Sequence, residues 1–140
     1  MLSLTDKMRQ IIRCAKLYRD DKLDELHLSV HFFDCICTVS QNPGISQDTL
    51  ARMLYLNKSN ITRKLAVLEQ EGYVERRQSE QDKRVTLVYP TEKASEVVPV
   101  IHRVTDMWNV RLTEGITEQE IQTFEKVLNK LLGSAEEIVN

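Results

Sequence analysis

Glycine and proline are scarce in this chain of 140 residues, which has four glycines and three prolines. Because both residues interrupt regular structure, their scarcity predicts long helices and argues against a flexible linker between domains. No apolar run approaches the roughly 20 residues that span a bilayer, and the first ten residues lack the basic-then-apolar order of a secretory signal. The sequence therefore predicts one domain, or one small domain with extra helices attached, located in the cytoplasm.

Cysteine and histidine are equally sparse, with three of each. Cys14, Cys35 and Cys37 are odd in number and poorly spaced for a disulfide framework or a zinc cluster, so mostly buried, reduced thiols are expected. His27 and His31 are four apart, close to a metal-ligand spacing. A helix cap at Ser29 between them would break their shared face, which favours structural or solvated histidines over a metal site.

The sequence also lacks the patterns that enzymes use. Its histidines are dispersed, no glycine-rich phosphate loop is present, and no nucleophile lies near a base. These absences predict a protein that is not an enzyme and needs no cofactor.

Basic residues are not in excess, since the formal net charge is −2. Their distribution is more informative than their sum. Residues 57–84 contain seven basic and five acidic residues, a charge of +2, which leaves −4 for the rest of the chain. A mildly positive segment on an acidic scaffold suits a DNA-binding protein whose other faces avoid phosphate.

Apolar residues spaced three and four apart predict helices at both ends of the chain. The first helix covers residues 4–23 with Ser3 as its cap, and the second covers residues 29–41 with Ser29 as its cap. Two long helices end the chain, one starting at Thr91 and the other opened by a capping box at residues 117–120. Pro99 is expected to bend the former.

Between these helices the pattern is that of a helix-turn-helix followed by a β-hairpin. Ser46 caps a short helix, and Asn57 caps the next one, which ends at Gly72. Alternating residues then predict strands at 73–78 and 85–89, joined by a polar turn. The fold class is mainly α with a small β-wing (α+β), a winged helix-turn-helix flanked by long terminal helices.

The second helix of this unit is the candidate recognition helix. A helix fits the major groove of B-DNA, where Arg63 can pair with guanine and Asn60 with adenine. Arg84 at the hairpin tip can enter the minor groove, and Asp82 can pair with a nearby arginine and orient the wing. The candidate DNA-binding residues are Ser59, Asn60, Thr62, Arg63, Lys64, Arg77, Lys83 and Arg84.

Three runs of residues resemble the MarR family of bacterial and archaeal regulators: residues 46–51, 57–63 and 69–76. Asp82-Lys83-Arg84 and the residues up to Ala94 are similar to that family's wing and the start of its next helix. The resemblance covers essentially the whole chain. Pro90 departs from it where leucine is common, and Pro99 interrupts the following helix.

The resemblance implies a homodimer on a palindromic double-stranded DNA operator, repression as the commoner mode, and a nucleoid-associated cytoplasmic protein. It implies that residues 1–28 and 91–140 dimerise and that residues 29–90 form the winged helix-turn-helix region of a single protomer. Small aromatic or phenolic effectors, or an oxidant, would release the DNA. A long apolar face beyond the needs of one chain independently favours dimerisation.

Two alternatives stay open at this level. Cys14 falls about where the peroxide-sensing branch of the family has its reactive cysteine, although a small packing residue is favoured there. A redox- or metal-sensing regulator is therefore one alternative. The other is a winged-helix module used only for protein contacts, but such modules usually lose the basic residues that Arg63, Lys64, Lys83 and Arg84 provide.

Overall fold

The computed structural model describes residues 1–28 and 32–140. It divides the chain into two compact units, Met1–Asp106 and Met107–Asn140. The proposed dimerisation segment that begins at residue 91 therefore starts inside the first unit. Within the described residues, no helix is both long and apolar enough to cross a membrane.

The first unit begins with the two helices expected from the apolar spacing. Helix α1 covers Leu4–Lys22 and opens with a capping box between Ser3 and Asp6. A short 3₁₀ helix, Asp24–Leu26, follows it, and α2 covers Phe33–Gln41. The predicted cap at Ser29 and the start of the predicted second helix lie outside the described residues.

The helix-turn-helix and the wing that follows it together form what we call the reading unit. Its two helices are consecutive in the sequence and are joined by a tight connection. Helix α3 covers Gln47–Met53 and α4 covers Lys58–Gln70. The Ser46 hydroxyl accepts a hydrogen bond from the Thr49 backbone N–H, and the Asn57 side chain accepts one from Asn60. Both side chains therefore satisfy backbone donors that a helix start leaves unpaired, as the sequence predicts.

The wing is a hairpin within a three-stranded antiparallel sheet. Strand β2 covers Val74–Gln78 and β3 covers Thr86–Pro90, so each lies within one residue of its predicted bounds. The third strand, β1, contains only Ile45–Ser46 and pairs with β3, giving the order β1-β3-β2. Strand β1 was not expected from the sequence, because two residues carry no periodicity of their own.

The core of the first unit lies where α2, α3, α4 and β3 meet. The fully buried side chains include Phe33, Ile36, Leu50, Leu65, Leu68 and Val88. Helix α5, Glu92–Leu112, adds one buried stripe at positions 94, 97, 101 and 104, and it continues through Pro99 without ending. Helix α4, the candidate recognition helix, is thus held on its inner face by the core, which leaves its other face exposed.

The second unit contains the end of α5 and helix α6, Glu118–Val139. Thr117 and Glu120 form the predicted capping box. No residue of α6 is buried. Its apolar stripe is instead exposed at positions that include Phe124, Val127, Leu128 and Leu132.

Candidate nucleic-acid interface

Helix α4 presents a polar face because its apolar face is fixed in the core. Ile61, Leu65 and Leu68 are buried. Ser59, Thr62 and Arg63 are exposed, while Asn60 and Lys64 are half-buried at the edges of the exposed face. These are the side chains that a helix would offer to the base edges of a major groove.

Thr62 is tied to the preceding helix by a residue that sequence reasoning missed. The Gln47 Nε2 donates to the Thr62 Oγ1 at 2.8 Å, and that hydroxyl donates to the Lys58 carbonyl at 2.7 Å. The only hydroxyl proton of Thr62 is therefore committed to its own helix, leaving its methyl group and one acceptor position for DNA. The signal for Gln47 was its place directly after the Ser46 cap.

Lys64 lies toward α2 and away from the centre of the exposed face. Its Nζ stands 5.1 Å from the centre of the Phe32 ring. A cation over an aromatic face is attracted by the ring quadrupole. This contact places Lys64 at the flank of the recognition helix, where a phosphate is a more accessible partner than a base edge.

The wing tip holds an ordered ion pair on an exposed arginine. The Arg84 Nε donates to Asp82 Oδ1 and its Nη2 to Oδ2, both at 3.0 Å, and its backbone N–H also donates to Oδ1 at 3.0 Å. These bonds lower the pKa of Asp82 and raise that of Arg84. The Arg84 side chain is nevertheless 91% exposed. Lys83 beside it is exposed as well.

The two arginines of β2 lie on opposite faces of the hairpin. Arg76 pairs with Glu69 of α4, where the Nη2 donates to Oε1 at 3.0 Å and the backbone N–H donates to Oε2 at 2.9 Å. These bonds lower the pKa of Glu69 and attach the wing to the recognition helix.

Arg77 takes a different set of partners. Its Nη2 donates to Glu75 at 2.8 Å, and its guanidinium lies 4.5 Å from the centre of the Tyr89 ring. Its side chain is 60% exposed. Arg77 is thus accessible, but it is partly engaged within the wing.

The three cysteine thiols differ in their exposure to solvent. The expectation of mostly buried thiols is wrong for Cys14, which is exposed on α1. Cys35 is buried, and burial raises its pKa to about 12, while burial also raises the pKa of Cys37. A thiol with so high a pKa has little thiolate at neutral pH and is a poor nucleophile.

His27 ends the 3₁₀ helix with a φ of 54°, and its predicted partner His31 lies outside the described residues. Among residues 1–28 and 32–140, no three His, Cys, Asp or Glu side chains are grouped closely enough to hold a metal ion.

Comparison with known proteins gives one consistent result. The MarR family model matches residues 28–86. The HTH-type transcriptional regulator YybA of Bacillus subtilis is 29% identical over 94% of this chain and 87% of its own length. The regulator BilQ of Clostridium symbiosum is 25% identical over 82% of this chain and 80% of its own length.

Solved structures extend the similarity to the whole chain. A MarR protein from Peptoclostridium difficile superimposes with a TM-score of 0.90 at 28% identity, covering 98% of this chain and 94% of that one. A MarR family regulator of Listeria monocytogenes, complexed with 26mer DNA, gives 0.86 at 26% identity, covering 96% and 89%. Family match, relatives and fold agree: residues 28–86 match the MarR family model, and the whole chain is similar in fold to MarR-family winged helix-turn-helix transcriptional regulators, which are DNA-binding proteins and not an enzyme family.

Proposed function

We propose that this protein is a repressor that binds a palindromic operator as a homodimer and releases it when a small aromatic or phenolic effector, or an oxidant, acts on it. The observation that carries the proposal is the Asp82–Arg84 pair at the wing tip. An arginine that is exposed and already oriented loses little conformational freedom on entering a minor groove.

The recognition helix α4 supports the same function, because it offers a side chain for contacts in the major groove. Arg63 is exposed on α4. Its planar guanidinium can donate two hydrogen bonds to guanine O6 and N7, the commonest specific contact in the major groove. Arg63 therefore reads sequence, whereas Arg84 reads groove shape and potential.

Two long apolar faces support a dimer. In the first unit, α1 exposes Leu4, Ile11 and Ile12 on one side, and in the second, α6 exposes a stripe centred on Phe124 and Leu128. Contiguous exposed apolar surface of this kind marks an interaction site. Two copies related by a two-fold axis would place two recognition helices about 34 Å apart, the spacing of successive major grooves on one face of DNA.

The experiment selects binding duplexes from a random pool and then compares variants on the selected operator. We expect an inverted repeat, and we expect Arg84→Ala and Arg63→Ala each to weaken binding by about 1–3 kcal/mol. Only Arg63→Ala should also relax base preference within the half-site. Arg103→Ala removes an exposed arginine of α5 and is the matched control.

Unchanged gel-shift affinities for both variants would remove these residues from the interface. Binding that does not fall with salt would favour the protein-interaction module, because counterion release accompanies every phosphate contact. Effector release is tested by adding salicylate, as a simple phenolic probe, to the complex. Repression is tested by placing the operator over a reporter promoter.

A further inference from the structure

A small polar cleft lies between the starts of helices α3 and α4 and the tip of the wing. It has a volume of about 130 Å³ and is lined by residues that include Gln47, Asp48, Lys58, Arg84 and Thr86. These residues come from three places: the start of α3, the first residue of α4, and the entry to β3. The fold therefore brings together side chains that are up to 39 positions apart in the sequence.

The polar side chains of the cleft fit a small tetrahedral anion. Lys58 and Arg84 both line it, but Arg84 is paired with Asp82, which leaves Lys58 as the main positive charge; Asp48 contributes a carboxylate. An ammonium acts toward phosphate as a point charge, and a hydroxyl such as that of Thr86 can donate to a phosphate oxygen. The cleft has room for one phosphate group, whereas a stacked base would need an aromatic wall.

Gln47 has a donor to spare in this cleft. Its amide nitrogen carries two N–H groups, and one of them bonds Thr62 at 2.8 Å. That bond restricts the amide, so a second hydrogen bond from the same nitrogen costs less side-chain freedom. Gln47 thus couples the cleft to the exposed face of α4.

We propose that this cleft binds one backbone phosphodiester of the operator in each half-site, with Lys58 as the main charge and the Gln47 amide as a donor. The inference rests on the proposed operator binding and assigns a contact within it. Because the cleft lies between α4 and the wing, the bound phosphate sets the distance between the major-groove and minor-groove contacts. Lys58 and Gln47 position the protein and read no bases.

The test measures operator affinity against salt for wild-type protein, Lys58→Ala and Lys58→Arg. A lost phosphate contact reduces the slope of log K against log salt by about 0.9 per phosphate, or about 1.8 for two half-sites. We expect Lys58→Ala to show this reduction and a several-fold weaker affinity, with the same ratio of operator to scrambled-duplex binding. Lys58→Arg should restore the slope.

Lys7→Ala is the control, because it removes one exposed lysine from α1, and sedimentation first checks that this variant dimerises like the wild type. It should leave the slope at the wild-type value. Asp48→Asn should tighten binding to operator and scrambled duplex alike, since it removes a carboxylate that lines the cleft.

A methylphosphonate scan locates the contact on the DNA. One neutral substitution per half-site should weaken the wild type and have no further effect on Lys58→Ala. An unchanged slope for Lys58→Ala, or a fall in its operator preference, would overturn the proposal while leaving operator binding intact. Wild-type protein that binds no duplex would instead overturn the proposed function.

A free anion is the other source of the same chemistry. Inorganic phosphate, titrated at constant ionic strength without DNA, should cause no saturable change in the Lys58 side-chain resonances. Saturable binding that Lys58→Ala abolishes, together with an unchanged salt slope on DNA, would assign the cleft to free phosphate and contradict the proposal.

Discussion

At the scale of single residues, the wing tip depends on one carboxylate. Asp82 accepts three hydrogen bonds from Arg84, and they lower its pKa below the usual 3.8. A group whose pKa is depressed in the folded protein contributes order above its usual pKa and loses it as the pH falls through the lowered value. The Asp82–Arg84 ion pair is therefore present at neutral pH and is lost as the pH falls through the lowered pKa of Asp82.

The corresponding prediction concerns the Asp82 titration. Followed by the NMR shift of the Asp82 carboxyl carbon, the midpoint should lie below 3.8 in the wild type and move back toward 3.8 in Arg84→Ala. Asp82→Asn should increase the mobility of the Arg84 Nε–H in 15N relaxation. The pair would have no orienting role if the titration midpoint were the same in wild type and Arg84→Ala.

Gly44 combines a left-handed backbone conformation with a crowded Cβ position. Its φ is +83°, and a Cβ there would stand 3.3 Å from the Tyr89 ring. Gly72 also has a φ of +83°, but its Cβ would meet only Lys93 Cδ at an ordinary 3.8 Å. The two glycines thus share a left-handed backbone and differ in crowding.

We therefore predict unequal costs for the same substitution. Gly72→Ala should lower the free energy of unfolding by roughly 1–2 kcal/mol, the cost of a left-handed alanine. Gly44→Ala should cost more, because the Tyr89 ring must also move. Urea unfolding measures both, and Tyr89→Ala should remove the difference. Equal losses in the two variants would rule out crowding by Tyr89.

At the scale of elements, caps define where the helices of the reading unit start. Asn57 accepts from the Asn60 backbone N–H at 2.8 Å and has helical residues immediately after it. Asn60 lies inside the same helix and has a side chain that caps nothing. The two asparagines are three residues apart and differ in role.

We predict that Asn57→Ala lowers the free energy of unfolding by about 1 kcal/mol, the usual loss for an N-cap. Asn60→Ala is the matched control and should be neutral or slightly stabilising, since alanine is the better helix former. Thermal or urea unfolding distinguishes them. A stable Asn57→Ala variant would mean that water replaces the cap.

The elements that local chemistry defines were predictable from sequence, and those that distant contacts define were not. Ser46 and Asn57 predict helix starts because the side chain of a cap accepts a hydrogen bond from a backbone N–H only two or three residues later. Strand β1 exists only because Ile45 and Ser46 pair with Val88 and Leu87, some 40 residues later. The exposure of Cys14 was likewise invisible, since the apolar stripe of α1 does not reveal which positions another element covers.

The candidate site divides in the same way. The orientations of Ser59 and Arg63 follow from the helical period once Ile61 and Leu65 are taken as buried. The surroundings of Lys64 could not be predicted without knowing where Phe32 lies, and those of Gln47 could not be predicted without knowing where Thr62 lies. Sequence thus identified the face of the recognition helix, whereas the neighbours of its side chains required the fold.

At the scale of the whole molecule, the exposed stripe of α6 leads to a prediction about assembly. Phe124 is 55% exposed in the single chain. If it is buried in a two-fold interface, Phe124→Asp removes two aromatic contacts, roughly 3 kcal/mol or more, and weakens dimerisation about a hundredfold or more. Sedimentation over a range of dilutions measures this, with circular dichroism to confirm that the helices remain.

Tyr55→Asp provides the matched control for this change. Tyr55 is 68% exposed, but it lies in the turn between α3 and α4 and belongs to neither apolar face. The control should dimerise like the wild type. A Phe124→Asp protein that sediments like Tyr55→Asp would place the dimer interface elsewhere.

The wing has a third strand beside it only at its base, because β1 pairs with β3 over just two residues. Ile45 and Ser46 brace β3 only at Val88 and Leu87, and beyond them residues 79–85 have no third strand beside them. A hairpin that is paired in this way bends mostly beyond the last residue that contacts the third strand. We therefore expect bending of the hairpin to be greatest at the loop that contains Arg84, whereas β1 leads directly into α3 and links the base of the wing to the helices.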